Sequence, residues 1–107
     1  MSTVITPTIE AKINLSRLSH NLNQVKRAIG NGVNIMAIVK SNAYGHGLIP
    51  IARHLFKEGV TRFGVARLEE ALDLRRALPK AGILVLSPVM PENFRIALKK
   101  NLTLTIT

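Results

Sequence analysis

The chain has 107 residues, 47% of them hydrophobic, and carries 15 Lys and Arg against 6 Asp and Glu, for a formal net charge of +9. That composition is globular rather than disordered, and the length suffices for one small domain with its own core. Cysteine is absent, which removes disulfides and thiolate metal sites, and no metal centre is expected. No apolar run approaches the roughly 20 residues that span a bilayer. Residues 1–7 have neither the basic nor the apolar segment of a secretory signal, so a cytoplasmic location without membrane attachment is expected.

The positive charge raises the question of nucleic acid or another anionic surface. The pairs Lys26-Arg27, Arg75-Arg76 and Lys99-Lys100 each fall near the end of an expected helix, where they complement the helix dipole and wet the surface. The aromatic residues Tyr44, Phe56, Phe63 and Phe94 do not interleave with basic residues as single-strand binders require. Solvated helix ends explain the charge, and no nucleic-acid partner is expected.

In chain order, residues 11–15 alternate as a short strand would. Ser16 is placed as an N-cap, and Leu18, Leu22, Val25 and Ile29 follow at helical spacing until Gly30 and Gly32. Residues 34–39 form an apolar run of strand length. Residues 45–50 are a turn into a helix whose face is Leu48, Ile51, Ala52 and Leu55, ended by Gly59. A short strand covers residues 63–65. Leu68, Ala71 and Leu72 mark the next helix, with Glu69 and Glu70 at its start and Arg75 and Arg76 near its end. After the break at residues 79–82 comes an apolar strand over residues 83–86. Pro91 and Glu92 open a helix with Phe94, Ala97 and Leu98 on one face, and Leu102, Leu104 and Ile106 alternate in the last run.

The order is therefore a strand and a helix, then four apolar strands separated by three helices. The strands start roughly 20 to 28 residues apart, the length of a βα unit. Strands apolar at every position are buried on both faces, which predicts a parallel sheet. An open doubly wound sheet and a (βα)8 barrel both satisfy this. The last run is a strand with no helix to cover it, and four strands are half of a barrel that usually takes about 250 residues. Residues 1–107 are expected to be the first half of a barrel domain in a longer protein, with no internal boundary.

The most informative stretch is residues 36–47. An apolar strand ends abruptly in Lys40, Tyr44 follows four positions on, and Gly45 and Gly47 bracket His46. Strand residues alternate in direction, so Ile38 and Lys40 point to the same side. In a barrel, reacting groups collect at the C-terminal ends of strands. An amine emerging there from apolar neighbours is pushed toward its neutral form, which attacks aldehydes and transfers protons. Tyr44 is placed to donate a hydrogen bond to a phosphate, and the glycines let the backbone turn sharply near a ligand. The bland alternatives are a solvated strand-end lysine, a packed loop tyrosine, a histidine satisfied by backbone, and ordinary turn glycines. For His46 the bland reading is preferred.

The segment Ala37-Ile-Val-Lys-Ser-Asn-Ala-Tyr-Gly-His-Gly47 resembles the pyridoxal phosphate attachment segment of alanine racemases, whose pattern is close to A-V-V-K-A-N-A-Y-G-H-G. It departs at Ile38 and Ser41. Residues 11–15 (Ala-Lys-Ile-Asn-Leu) are similar to that family's A-E-I-N-L entry, with Lys12 in place of an acidic residue. Residues 63–72 and 83–86 also match in order and spacing. The resemblance implies an (α/β)8 barrel followed by a mainly β domain, in a homodimer whose sites use both subunits. It implies that Lys40 binds pyridoxal 5'-phosphate covalently and is one of two catalytic bases, acting on the D-alanine side. It further implies that Tyr44 contacts the cofactor phosphate and that Leu86 lines the cofactor, although plain barrel packing describes Leu86 nearly as well. The family's second base (a tyrosine of the partner subunit), the arginine facing the pyridine nitrogen and most of the phosphate cup have no counterpart here. The expected activity of the parent protein is two-base racemisation of alanine, supplying D-alanine for peptidoglycan. The 107 residues alone are expected to be inactive. A broad-specificity amino-acid racemase, or a barrel that carries pyridoxal phosphate without turnover, remains the alternative. Basic amino-acid decarboxylases of this fold lack the Ala-Tyr-Gly-His-Gly stretch at residues 43–47.

Overall fold

A computed structural model describes residues 7–39 and 47–106, with residues 7–14 described by backbone alone. The chain divides into two compact units, Met1–Ile35 and Met36–Thr107.

The first unit is helix α1, Pro7–Ile29. The strand expected over residues 11–15 is corrected, because those residues are helical. Positions 11, 15, 18, 22, 25 and 29 are all apolar, and this helical period runs straight through the alternation that suggested a strand. A lone strand would also leave its N–H and C=O groups without partners, whereas a helix pairs them internally. The expected cap Ser16 consequently lies inside the helix. At the far end Gly30 takes φ +74° and its N–H donates to the Lys26 carbonyl at 3.2 Å, a left-handed close that glycine adopts without Cβ strain.

The second unit is a parallel sheet with helices between its strands. Its elements are β1 Met36–Ile38, α2 Leu48–Lys57, β2 Arg62–Val65, α3 Leu68–Ala77, β3 Gly82–Val85, α4 Phe94–Lys99 and β4 Thr103–Leu104. A short 3-10 turn, Pro91–Asn93, leads into α4. The four strands are hydrogen-bonded in the order β1-β2-β3-β4, and every pair is parallel. Sequential order without reversal is barrel order; a doubly wound sheet reverses its order at a switch point. The four βα-connected strands form the first half of a barrel.

Register gives the sheet two unlike faces. Ala37, Phe63 and Ile83 are neighbours across the strands, as are Val65, Val85 and Leu104. Phe63, Val65 and Val85 are wholly buried, and α3 packs on β2 and β3. Leu48, Ile51, Ala52 and Leu55 of α2 and Ala71 and Leu74 of α3 complete this core, together with Leu78 and Ala97. The opposite face carries Met36, Ile38, Gly64, Leu84 and Leu86. Ile38 is 52% exposed and Leu86 39% exposed. The expectation that both faces are buried therefore holds for one face only. Among the described residues of the second unit no further layer opposes Met36, Ile38 and Leu86, because the core formed with α2 and α3 lies on the other face.

One arginine binds the base of the α3, β3 and α4 elements together. Arg75 donates through Nε to the Lys100 carbonyl at 2.9 Å and through Nη2 to the Asn101 carbonyl at 3.1 Å. Its Nη1 reaches the carbonyls of Leu78, Pro79 and Ala81 at 3.3, 3.1 and 2.6 Å. The planar guanidinium suits this task because its donors point outward in a fixed fork. Asn101 sits at φ 55° just past α4, and the Leu102 N–H closes back on the Ala97 carbonyl at 3.0 Å. Replacing Arg75 by Lys keeps the charge and loses the fork. It is expected to cost about 2 kcal/mol in urea unfolding, while Arg76→Lys, at a side chain 80% exposed, is expected to change stability by less than about 0.5 kcal/mol.

Candidate active-site rim

The C-terminal ends of the strands are tied to one another by backbone bonds past the regular ladder. The Val39 N–H donates to the Gly64 carbonyl at 2.9 Å, and the Leu86 N–H donates to the Val65 carbonyl at 2.8 Å. The Ser87 N–H follows onto the Ala66 carbonyl at 3.0 Å. The Thr105 hydroxyl donates to the Val85 carbonyl at 2.7 Å, so a side chain extends the short β4 pairing. Successive carbonyls of β2 thus hold the end of β1 on one side and the end of β3 on the other.

Lys40 and Tyr44, with His46 and Gly45, lie outside the described residues. Their flanks are described. Val39 is 5% exposed and bonded to Gly64, and Lys40 follows it directly in the chain. Gly47 caps α2, its carbonyl accepting the Ile51 N–H at 3.2 Å. Leu86 lies one residue past β3 on the open face, away from the packed core. Its burial does not match that of a core leucine, so it presents apolar surface at the rim.

Gly64 explains how these side chains come together. It is buried in the middle of the open face, and a Cβ built there would stand 2.6 Å from Ile38 Cδ1, 3.7 Å from Met36 Sδ and 3.8 Å from Leu86 Cδ1. The missing side chain lets Ile38 of β1 close over β2 next to Leu86, just past β3. The result is an apolar floor beneath the ends of three neighbouring strands, with Lys40 adjoining it in sequence.

Glu70 and Gly64 were not singled out as site residues from sequence. For Glu70 a signal existed: an acidic residue at the third helical position is the far half of a capping box. Here Arg67 stands where Ser or Thr usually completes it, so the carboxylate alone bonds, accepting from the Ala66 and Arg67 N–H groups at 3.0 Å each. Among the described residues no cluster of His, Asp and Glu is placed to hold a metal ion, and no helix is long and apolar enough to cross a membrane.

The order of strands, the crossover helices and a rim at the strand C-termini define an α/β barrel half with its candidate site at the usual end. A family model for the alanine racemase N-terminal domain matches residues 13–107. The alanine racemase of Desulforamulus reducens is 46% identical over 98 residues, covering 92% of this chain and 26% of that protein. The solved alanine racemase of Clostridium difficile 630 superposes with a TM-score of 0.77 at 35% identity, covering 86% of this chain and 24% of its own. The histidine racemase of Leuconostoc mesenteroides subsp. sake gives 0.75 at 39% identity, covering 87% and 25%. The chain belongs to the alanine racemase family, in its N-terminal domain. It spans about a quarter of the length of the curated relatives it matches.

The contact across Gly64 is testable by a double-mutant cycle. Gly64→Ala pushes the Ile38 δ-methyl aside and is expected to cost about 1 kcal/mol or less in chemical denaturation, since a side-chain tip can shift. Ile38→Val removes that methyl, and in this background the Gly64→Ala penalty is expected to vanish. An unchanged penalty would mean that the two residues do not meet.

Proposed function

We propose that this chain is the lysine-bearing part of a pyridoxal phosphate-dependent alanine racemase. The observation that carries the reading is the bond from Val39 to Gly64, which fixes the residue before Lys40 at the rim where Ile38 and Leu86 form an apolar floor. The residues fit the cofactor in kind. A planar pyridine ring calls for apolar surface such as Ile38 and Leu86 offer, an aldehyde calls for a primary amine, and a phosphate calls for hydrogen-bond donors. Lys40 supplies the amine and Tyr44 a hydroxyl.

When bound, pyridoxal phosphate acts as an electron sink that acidifies the Cα–H of an attached amino acid. Lys40 then has two tasks: holding the cofactor in the resting protein and moving the Cα proton on the D-alanine side. Tyr44 donates its phenolic hydrogen to the phosphate. Leu86 excludes water from one side of the ring. Racemisation needs a second base on the opposite face of Cα. Tyr44 is the single tyrosine of these 107 residues and is assigned to the phosphate, so the second base comes from elsewhere, in a homodimer from the partner subunit. These 107 residues alone do not racemise alanine. The complete protein is a cytoplasmic enzyme that supplies D-alanine for peptidoglycan.

The match to a histidine racemase at 39% identity favours one second reading, a racemase of another or broader amino-acid specificity. Strand order and lysine segment serve either substrate. Racemisation rates of the complete protein across a panel of L-amino acids separate the two readings.

In the complete protein, addition of pyridoxal phosphate is expected to give an absorbance band that Lys40→Ala abolishes. Lys40→Ala is also expected to lower alanine turnover by about 10³-fold or more, the upper part of the range for a positioned acid–base group. A band that survives in Lys40→Ala would contradict the assignment. A band without turnover would leave a cofactor-carrying barrel that is not a racemase.

A further inference from the structure

We propose that, in the complete protein, the strands that close the barrel over the open face bring a carboxylate against Arg62. The inference rests on the barrel fold and not on the cofactor reading. Arg62 opens β2 and pairs in register with Met36 of β1 and Gly82 of β3. It alternates with Phe63, which is wholly buried in the core shared with the helices, so Arg62 belongs to the opposite face with Met36, Ile38 and Gly64. On that face, side chains lean from one strand over the next. Ile38 of β1 lies over the bare α-carbon of Gly64, and Arg62 of β2 lies over that of Gly82, where a Cβ would stand 3.4 Å from Arg62 Cγ. The stem of the arginine thus crosses the start of β3 on the face that a barrel turns inward.

Barrel interiors are packed with side chains and are not pores. Met36, beside Arg62, is 41% exposed, and Ile38 and Leu86 beyond it are open as well. Covering this apolar surface takes water from the guanidinium too. A guanidinium does not lose its charge in a protein, so once desolvated it must be paired. Strand carbonyls cannot serve, because they lie in the plane of the sheet and are committed to the ladder. This separates Arg62 from Arg75, whose carbonyl partners lie in loops beyond the strands. The acceptor must therefore be a side chain, and a carboxylate is the one that also balances the charge. Strands β1 to β4 contain no acidic residue. The acids of the helices are committed elsewhere: Glu58 lies beside His54, Asp73 beside Arg76, and Glu70 accepts the Ala66 and Arg67 amides. Glu69 and Glu92 stand at helix starts, at the other end of the strands from Arg62. The curated relatives extend well beyond the quarter that this chain matches, and the carboxylate is assigned to that remainder.

The alternative is an arginine that stays solvated at the mouth of the barrel. Two measurements on the complete protein separate them. Phenylglyoxal modification of the Arg62 peptide is followed by mass spectrometry in folded and in urea-denatured protein. A covered, paired Arg62 is expected to react at least about tenfold more slowly in the folded protein, since desolvation of the face removes access to it. Equal rates would overturn the proposal. Thermal unfolding midpoints of Arg62→Met and Arg62→Lys are then compared with the parent at pH 8 and pH 5. Arg62→Met keeps the bulk and strands the carboxylate, whose burial raises its pKa. The ionised acid is costly at pH 8 and takes up a proton as the pH falls. The midpoint is therefore expected to drop by about 5 °C or more at pH 8 and by half of that or less at pH 5. Arg62→Lys keeps the charge and is expected to lose less, with the parent's pH dependence. It carries the test where Arg62→Met does not fold. A loss by Arg62→Met that is equal at both pH values would mean a neutral partner, and a loss by Arg62→Lys that grows toward pH 8 would mean that charge at position 62 does not meet an acid; either overturns the carboxylate.

Discussion

The carbonyl edge of β2 is the constraint on which the rest of this unit depends. Its run from Gly64 to Ala66 accepts bonds from β1 on one side and β3 on the other, so the ends of three strands share one reference. A parallel sheet makes this possible because all its strand C-termini lie at one end. The bare α-carbon of Gly64 adds the packing counterpart: backbone registers the strands, and the absent side chain lets their apolar residues meet above them. The described part of the run that leads toward Lys40 ends at Val39, whose N–H is held by the Gly64 carbonyl.

The two ends of the unit do different work. At the base, basic residues occupy the last turns of α2, α3 and α4, the end at which a positive charge complements the helix dipole. Arg75 goes further and uses its donors on five backbone carbonyls of the surrounding loops. Part of the positive charge thus has a local structural reason. At the rim the devices are backbone bonds, a threonine hydroxyl and the Glu70 carboxylate, which hold loops in place while leaving apolar surface open.

Much of the architecture was legible because it is written in short-range pattern. The apolar runs became the strands, and the face read for α2 is the buried one, Leu48, Ile51, Ala52 and Leu55. Residues 11–15 misled because five residues of alternation are also compatible with a longer helical period, and the longer pattern prevailed. The face read for α4 was only partly right: Ala97 is buried, but Phe94 is 51% and Leu98 81% exposed. Spacing shows which residues share a face, not whether anything covers it. The acidic and basic ends of α3 were read as dipole complements, which they are. The specific partners of Arg75 lie up to 26 residues away, and only the fold brings them there. At the site, Lys40 was singled out through a motif and lies outside the described residues, Glu70 carried a capping signal that was not used, and Gly64 depends on strand register that no motif encodes.

Native-state hydrogen exchange at the amides of Val39 and Leu86 tests the central claim most directly, because those two N–H groups tie both neighbouring strands to β2. The account requires both to exchange as slowly as the core amides of Phe63 and Val85, through opening of the whole sheet. Exchange of the Val39 amide at the rate of an unstructured peptide, with Phe63 and Val85 still protected, would contradict it: the strand that leads to Lys40 would not be held at the rim.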